Sequence, residues 1–200
     1  MYPIGMHRCL PIALSACVAL LLLACASATP NRDPVGERFP EVRGNGLDGT
    51  AHRLPQSLGD GPTVALVGYV QNAQFDIDRW ILGLMQLETP AAIVELPTVE
   101  GIFPGMIAGR IDDGMRRGIP QEDWAIVITI YDDAEKVVGF TGNTRPSNTR
   151  ALLLGPDGCV EWFGDRGYSA GLVRALDARV RALAEGAPSA CAEGGAAGDG

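Results

Sequence analysis

Histidine is almost missing from this chain of 200 residues, where only His7 and His52 occur. A histidine-rich metal centre is thereby excluded, and any Ser-His-Asp arrangement would have to use His52. Neither a Walker-type phosphate loop nor a CxxC pair is present. Positive charge is also in deficit: the formal charge is −8 and the isoelectric point about 4.7. That balance suits no nucleic-acid partner, because phosphate neutralisation needs clustered Lys and Arg. What is present is 46% hydrophobic residues, 20% charged residues and five cysteines. Length and composition fit one domain with a core of its own. Much of the mean hydropathy comes from the first two dozen residues.

That leading segment reads Met1-Tyr-Pro-Ile-Gly-Met-His-Arg8, followed by an apolar run from Leu10 to Ala24. One basic residue and about fifteen apolar ones match a secretory leader, and the run falls short of the roughly 20 residues of a membrane span. It ends Leu22-Leu23-Ala24-Cys25, and here the chain resembles a bacterial lipoprotein precursor. The resemblance implies cleavage between Ala24 and Cys25, thioether attachment of a diacylglycerol to Cys25, and acylation of the new amino terminus with a chain such as palmitate. Several acyl chains anchor durably where one would be marginal. Ala26 rather than Asp follows the cysteine, which in a two-membrane bacterium implies the outer membrane, periplasm-facing. The competing readings are an ordinary signal peptide containing a cysteine and an uncleaved anchor. Removing the first 24 of 200 residues leaves 176, with 15 basic and 24 acidic side chains and a formal −9.

Four regions follow: a leader (1–24), a polar, Pro-containing tether (25–35), a domain (36–184) and a tail (185–200) whose composition reads as disordered. Within the domain, Thr63–Val70 is a β-branched run behind Gly61-Pro62 and reads as a buried strand. Phe75–Leu87 places Ile77, Trp80, Ile81 and Leu84 on one helical stripe, with Asn72 as a cap. Ala91–Leu96 is a second strand. A helix opens at Pro104, carries Ile107, Ile111 and Met115 on one face, pairs Asp112 with Arg116, and stops at Gly118. Ala125–Tyr131 reads as the strongest strand, and Asp133–Phe140 as a short helix or turn. Arg150–Leu154, the turn Gly155-Pro-Asp-Gly158 and Cys159–Phe163 form a hairpin. Ser169 caps a last helix with Leu172, Val173, Leu176, Val180 and Leu183 inward. The order β-α-β-α-β, hairpin, α predicts one sheet with parallel core strands and an antiparallel edge, covered by helices on both faces.

That order resembles a thioredoxin-like α/β fold, a three-layer sandwich whose mixed sheet combines parallel core strands with an antiparallel hairpin. Phe39-Pro40 and Leu47-Asp48-Gly49 resemble the opening of peroxiredoxin-like and membrane-tethered thiol-disulfide reductase domains. Gly114–Asp133 together with Leu152–Ser169 look most like the redox-inactive branch containing the assembly factor of the mitochondrial ATP synthase. The resemblance covers about Arg38 to Leu183. In redox members it implies a reactive cysteine where the first core strand enters its helix, and a cis-proline just before the hairpin strand. This chain has Gly68-Tyr-Val-Gln-Asn-Ala-Gln-Phe75 at the first place and Thr149 at the second, with Pro146 three residues early. No catalytic residue carries over.

The expected function is therefore that of a membrane-anchored, redox-inactive binding or assembly module, with a protein partner, the membrane reached through its lipid anchor, and no cofactor. Gln71, Asn72, Gln74 and Thr149 are the expected ligand-facing residues, since a helix N-terminus offers free N–H groups. The alternative is an atypical thiol oxidoreductase or peroxiredoxin-like enzyme using Cys159 or Cys191. Cys159 also reads as a packing residue of the return strand, or as the partner of Cys191 in a disulfide. Asp76 and Asp78, Asp112-Asp113 and Asp132-Asp133 are paired carboxylates without an EF-hand pattern and read as solvated helix ends and turns. Arg116, Arg117, Arg174, Arg179 and Arg181, interspersed with acids, read as solvated surface, as does His52.

Overall fold

The computed structural model describes residues 28–101 and 104–194. The leader, the cleavage pair Ala24-Cys25 and residues 195–200 lie outside them, as does the side chain of Ile107. Two short strands unforeseen in the sequence open the domain. β1 (Val42–Gly46) and β2 (Ala51–Leu54) form an antiparallel hairpin, Val42 opposite Leu54. Its turn is set by Asp48, whose carboxylate accepts the Thr50 N–H and hydroxyl, and by Gly49 at φ +91°. The inward positions of β1 include Gly44, where a Cβ would lie 2.5 Å from the Ile128 side chain. The close crossing demands a residue that carries no strand signal.

β3 (Thr63–Gly68) is buried at every position, as its composition predicts. After a 3₁₀ turn at Gln71–Ala73 comes α1 (Gln74–Gln86), then β4 (Ala92–Pro97), parallel to β3 with Thr63 opposite Ala92. α2 (Pro104–Gly118) begins and ends where the sequence places it. Its Arg116 pairs with Asp113 and donates to the Leu47 carbonyl, while Asp112 accepts the Tyr131 hydroxyl. The expected Asp112–Arg116 pair is thus replaced, since each finds a partner off the helix.

The long third strand is the main departure. Gln121–Ile126 winds as 3₁₀ helix, and β5 is only Ile128–Thr129, paired to β1. Isolated parallel bridges from Val127 to Glu95 and from Ile130 to Thr98 bring it against β4. Instead of one sheet there are two, β2-β1-β5 and β4-β3-β6-β7, met edge to edge through these bridges. α3 (Ala134–Thr141) resolves the helix-or-turn alternative as a helix. β6 (Arg150–Leu154) runs antiparallel to β3, and β7 (Val160–Gly164) antiparallel to β6. α4 (Ala170–Ala184) is capped by Ser169, whose Oγ accepts the Leu172 N–H at 3.2 Å.

Alternation along β3 and β6 divides the core. Val64, Leu66, Ala151 and Leu153 face α1 and α4, which supply Ile77, Trp80, Leu84, Val173, Leu176 and Val180. Ala65, Val67, Leu152 and Leu154 face the hairpin and α3, with Val42, Leu54, Val137 and Phe140. The tail departs from the sequence reading: Ala190–Gly194 forms α5, a short helix against β7. The bond that holds it, between Cys159 and Cys191, is one of the readings the sequence offers for those two cysteines.

Candidate functional site

Three loops converge at the end of the sheet where β3 leaves for α1: the 69–74 turn, the 142–149 loop before β6 and the 165–169 loop after β7. Asp76, in the first turn of α1, joins them. It is buried, and its carboxylate accepts the Thr149 N–H at 3.0 Å and the Tyr168 N–H at 2.8 Å. Far from being a solvated helix end, it fixes the position of both loops. Its sequence neighbour in the pair, Asp78, stays exposed and receives the Gln74 Nε2 at 2.9 Å. The same amide donates to Glu95 at 3.1 Å. Glu95 is buried, and burial raises its carboxyl above the usual range against the pull of the Gln74 bond.

Beneath the loops lies Arg150, fully buried at the start of β6. Its guanidinium forms no ion pair among the described residues. It is satisfied by the carbonyls of Gly142 (3.2 Å), Thr144 (2.6 Å), Arg145 (3.4 Å) and Asn148 (2.8 Å), and by the Asn31 side-chain oxygen (3.0 Å). It stacks 5.6 Å from the centre of the Tyr69 ring. Burial pushes the Tyr69 phenol up to about 12, and its hydroxyl bonds the Thr141 Oγ1. Asn31 also accepts the Thr144 N–H at 2.9 Å and donates to Asp165 at 2.8 Å. Thr29 and Asn143 close the seam, the Thr29 N–H reaching the Asn143 Oδ1 and the Asn143 N–H the Thr29 carbonyl. The latter half of the expected tether is therefore part of the domain, because buried Arg150 needs the acceptor that Asn31 brings.

Of the residues expected to face a ligand, Gln71 and Asn72 are exposed, Gln74 is half-buried and Thr149 is fully buried. Thr149 is thus corrected to an interior residue, drawn in by its N–H bond to Asp76. Asn72 makes no cap bond; the 3₁₀ turn supplies the helix start instead. The remaining carboxylate pairs serve structure. Asp112 holds Tyr131, and Asp133 binds Lys136 at 2.9 Å and the Arg43 N–H at 2.9 Å, which hold its carboxyl down at about 2. Arg179 pairs with buried Glu161 and Arg181 with Asp177, so neither is free surface charge. His52 is only half-exposed, with its Nε2 buried beside Gly46.

Cys159 and Cys191 are bonded to each other, Cα atoms 6.0 Å apart, and Cys159 is fully buried. In this oxidised state neither offers a free thiolate nucleophile. The bond lies at the Leu154 end of β6, and the β3–α1 turn at its Arg150 end. Five strand residues, about 17 Å, separate the two. Two motif spellings also prove structural. Gly44-Asn45-Gly46-Leu47-Asp48-Gly49 has the G-x-G-x-x-G form but makes a hairpin and opens no helix. Gly167-Tyr168-Ser169-Ala170-Gly171 has the G-x-S-x-G form, yet Ser169 is an ordinary helix cap. Among the described residues no group of three or more His, Cys, Asp or Glu side chains could hold a metal ion, and no helix is long and apolar enough to cross a membrane.

No family model and no curated protein matches the sequence. Solved structures do match. An uncharacterized conserved protein from Geobacillus kaustophilus aligns at 16% identity and TM-score 0.53, over 82% of this chain and 88% of its own. BsSco, a member of the Sco family of cytochrome c oxidase assembly proteins, aligns at 12% identity and TM-score 0.52, over 76% of this chain and 98% of its own. At such identities the likeness is one of architecture. With the parallel β3–β4 pair, the antiparallel β6–β7 hairpin and α1 and α4 on one face, it establishes a thioredoxin-like fold.

Proposed function

We propose that this chain is a lipid-anchored, redox-inactive thioredoxin-like protein of the bacterial cell envelope, acting as a binding or assembly module for a protein partner. The observation that carries the reading is the β3–α1 end of the sheet. Where the resemblance to redox proteins calls for a cysteine and a cis-proline, this chain has the Gln71-Asn72-Ala73-Gln74 turn and Thr149, tied together by Asp76. The two domain cysteines are bonded to each other at the opposite end. A Cys–Cys bond of this kind accords with an oxidising compartment, as the leader and Cys25 do. The likeness to the ATP synthase assembly-factor branch, read from Gly114–Asp133 and Leu152–Ser169, and the assembly role printed for BsSco favour an assembly function over a metabolic one.

The exposed Gln71 and Asn72 and half-buried Gln74 are the proposed contact to the partner. Affinity purification from membranes tests this, comparing the wild type with the Gln71→Ala/Asn72→Ala/Gln74→Ala variant. A partner lost selectively from the folded variant supports the reading; a variant that retains every partner refutes the site. Reduction of insulin or of peroxide by the purified domain would refute the redox-inactive role. Metabolic labelling with palmitate, in the wild type and in Cys25→Ser, tests the anchor separately.

A further inference from the structure

The seam that binds Thr29 and Asn31 to the domain has a consequence for how an anchored molecule would stand. Thr29 is held by Asn143, and Asn31 by Arg150, Thr144 and Asp165. Those partners all lie at one end of the sheet, with the 69–74 turn. Only three residues, Ala26 to Ala28, separate Thr29 from Cys25. The four steps between them, fully extended, reach at most about 14 Å. A flexible tether of eleven residues would leave the domain free to tumble; a three-residue one fixes which end looks at the lipid.

We infer that the 69–74 and 143–146 loops, with Arg166, form a membrane-facing end that rests on the lipid headgroup layer. The inference builds on the anchoring at Cys25 in the preceding subsection. The same end carries side chains suited to an interface. Val70 is 42% exposed and Phe75 67% exposed, both large apolar groups beside the turn. Arg145 and Arg166 are exposed and form no ion pair among the described residues. Basic groups are drawn to an anionic headgroup layer, and a phenyl side chain buries at the boundary of headgroups and acyl chains. The acids at this end, Asp78, Glu100, Asp132 and Asp165, keep their charge, since Gln74, Asn143 and Asn31 donate to three of them through neutral amides; the orientation therefore rests on the short tether and the apolar pair and not on net charge. Gln71 and Asn72 then lie at headgroup level, within reach of a partner rising from the same bilayer.

The test uses the lipidated full chain in vesicles of phosphatidylethanolamine and phosphatidylglycerol, with a nitroxide-bearing lipid as quencher. A fluorophore is placed singly at Phe75→Cys, at Arg145→Cys, or at Asp60→Cys near the opposite end. Quenching several-fold stronger at positions 75 and 145 than at 60 is expected. Inserting twelve Gly/Ser residues between Cys25 and Thr29, which adds roughly 20 Å of reach, should level the three. Equal quenching at all three positions, in protein whose mass shows an acylated Cys25, overturns the orientation while the anchor stands. A Cys25 that mass spectrometry finds unmodified removes the anchor and the orientation together.

Discussion

Breaking the Cys159–Cys191 bond is the perturbation whose size follows most directly from the structure. The bond closes a loop with a sequence separation of 32, containing β7 and α4 and ending in the first turn of α5. Chain entropy for a loop of that length is about 12 cal/mol/K, or roughly 3.7 kcal/mol at 25 °C, lost from the unfolded state and so gained by the fold. A second effect adds to it. α5 has five residues and is too short to persist alone. Without the bond it should leave β7, taking the Ser189 and Ala190 donors from buried Glu161 and leaving it only Arg179. Once uncovered, Glu161 is hydrated, so this loss is smaller than the entropic one. Urea unfolding of the oxidised and the reduced wild type is the direct assay. Alanine rather than serine is the replacement to choose, because Cys159 is fully buried and a serine would strand a hydroxyl there. With a slope of about 2 kcal/mol per molar urea, the midpoint should fall by roughly 2 M on reduction and equally in Cys159→Ala/Cys191→Ala. A fall below about 0.3 M in both would mean that the loop is already constrained without the bond, refuting the entropic reasoning.

Arg150→Met should cost at least about 3 kcal/mol, because it leaves four carbonyls and the Asn31 oxygen without their shared donor. Asn31→Ala should cost about 1–2 kcal/mol alone and less in the Arg150→Met background, where only its bonds to Thr144 and Asp165 are left to lose, a coupling that a double-mutant cycle in urea would read. The Asp133 carboxyl lies below its ordinary value, at about 2, so its contribution is complete above the unfolded-state value near 3.8 and is lost as pH falls from there through 2. Asp133→Asn should therefore flatten the stability profile between pH 4 and 2, seen by urea midpoints across that range. Installing Gln71→Cys/Gln74→Cys should fail to produce a thioredoxin-like reductant, because Asp78 and Glu95, which both bind Gln74, oppose a thiolate at that position. Insulin reduction reads the outcome, and vigorous turnover would show that the two carboxylates are immaterial.

What the sequence conveys and what it conceals divide along physical lines. β3 is legible because every residue from Thr63 to Gly68 is buried and the apolar run is unbroken. α4 is legible because Ser169 and the Leu172–Leu183 spacing are local signals. β1 is hidden because its inward Gly44 answers a crossing by Ile128, 84 positions later in the chain. β5 is overstated because AIVITIY has strand composition, while Trp124 ties its Nε1 to the Ile119 carbonyl and the chain before Val127 winds as 3₁₀ helix. The tail is misread because one covalent bond outweighs a coil-like composition.

The candidate site shows the same division at the level of single charges. Sequence reasoning puts Arg and Asp on the surface, since either is costly to bury without partners. Arg150 and Asp76 break the rule because their partners are backbone groups, which no residue pattern announces. Four carbonyls can turn toward Arg150 only where a loop coils around it, and two N–H groups toward Asp76 only where two loops meet. Both conditions hold at the end of the sheet where a thioredoxin-like enzyme would need an open crevice. A loop gathered around a buried guanidinium, and sealed by Asn31, leaves Thr149 without solvent access. The contact proposed there is therefore one of the exposed rim, of Val70, Gln71, Asn72 and Phe75 with half-buried Gln74. A shallow rim of mixed apolar and amide groups suits a surface contact with a macromolecule better than turnover of a small one.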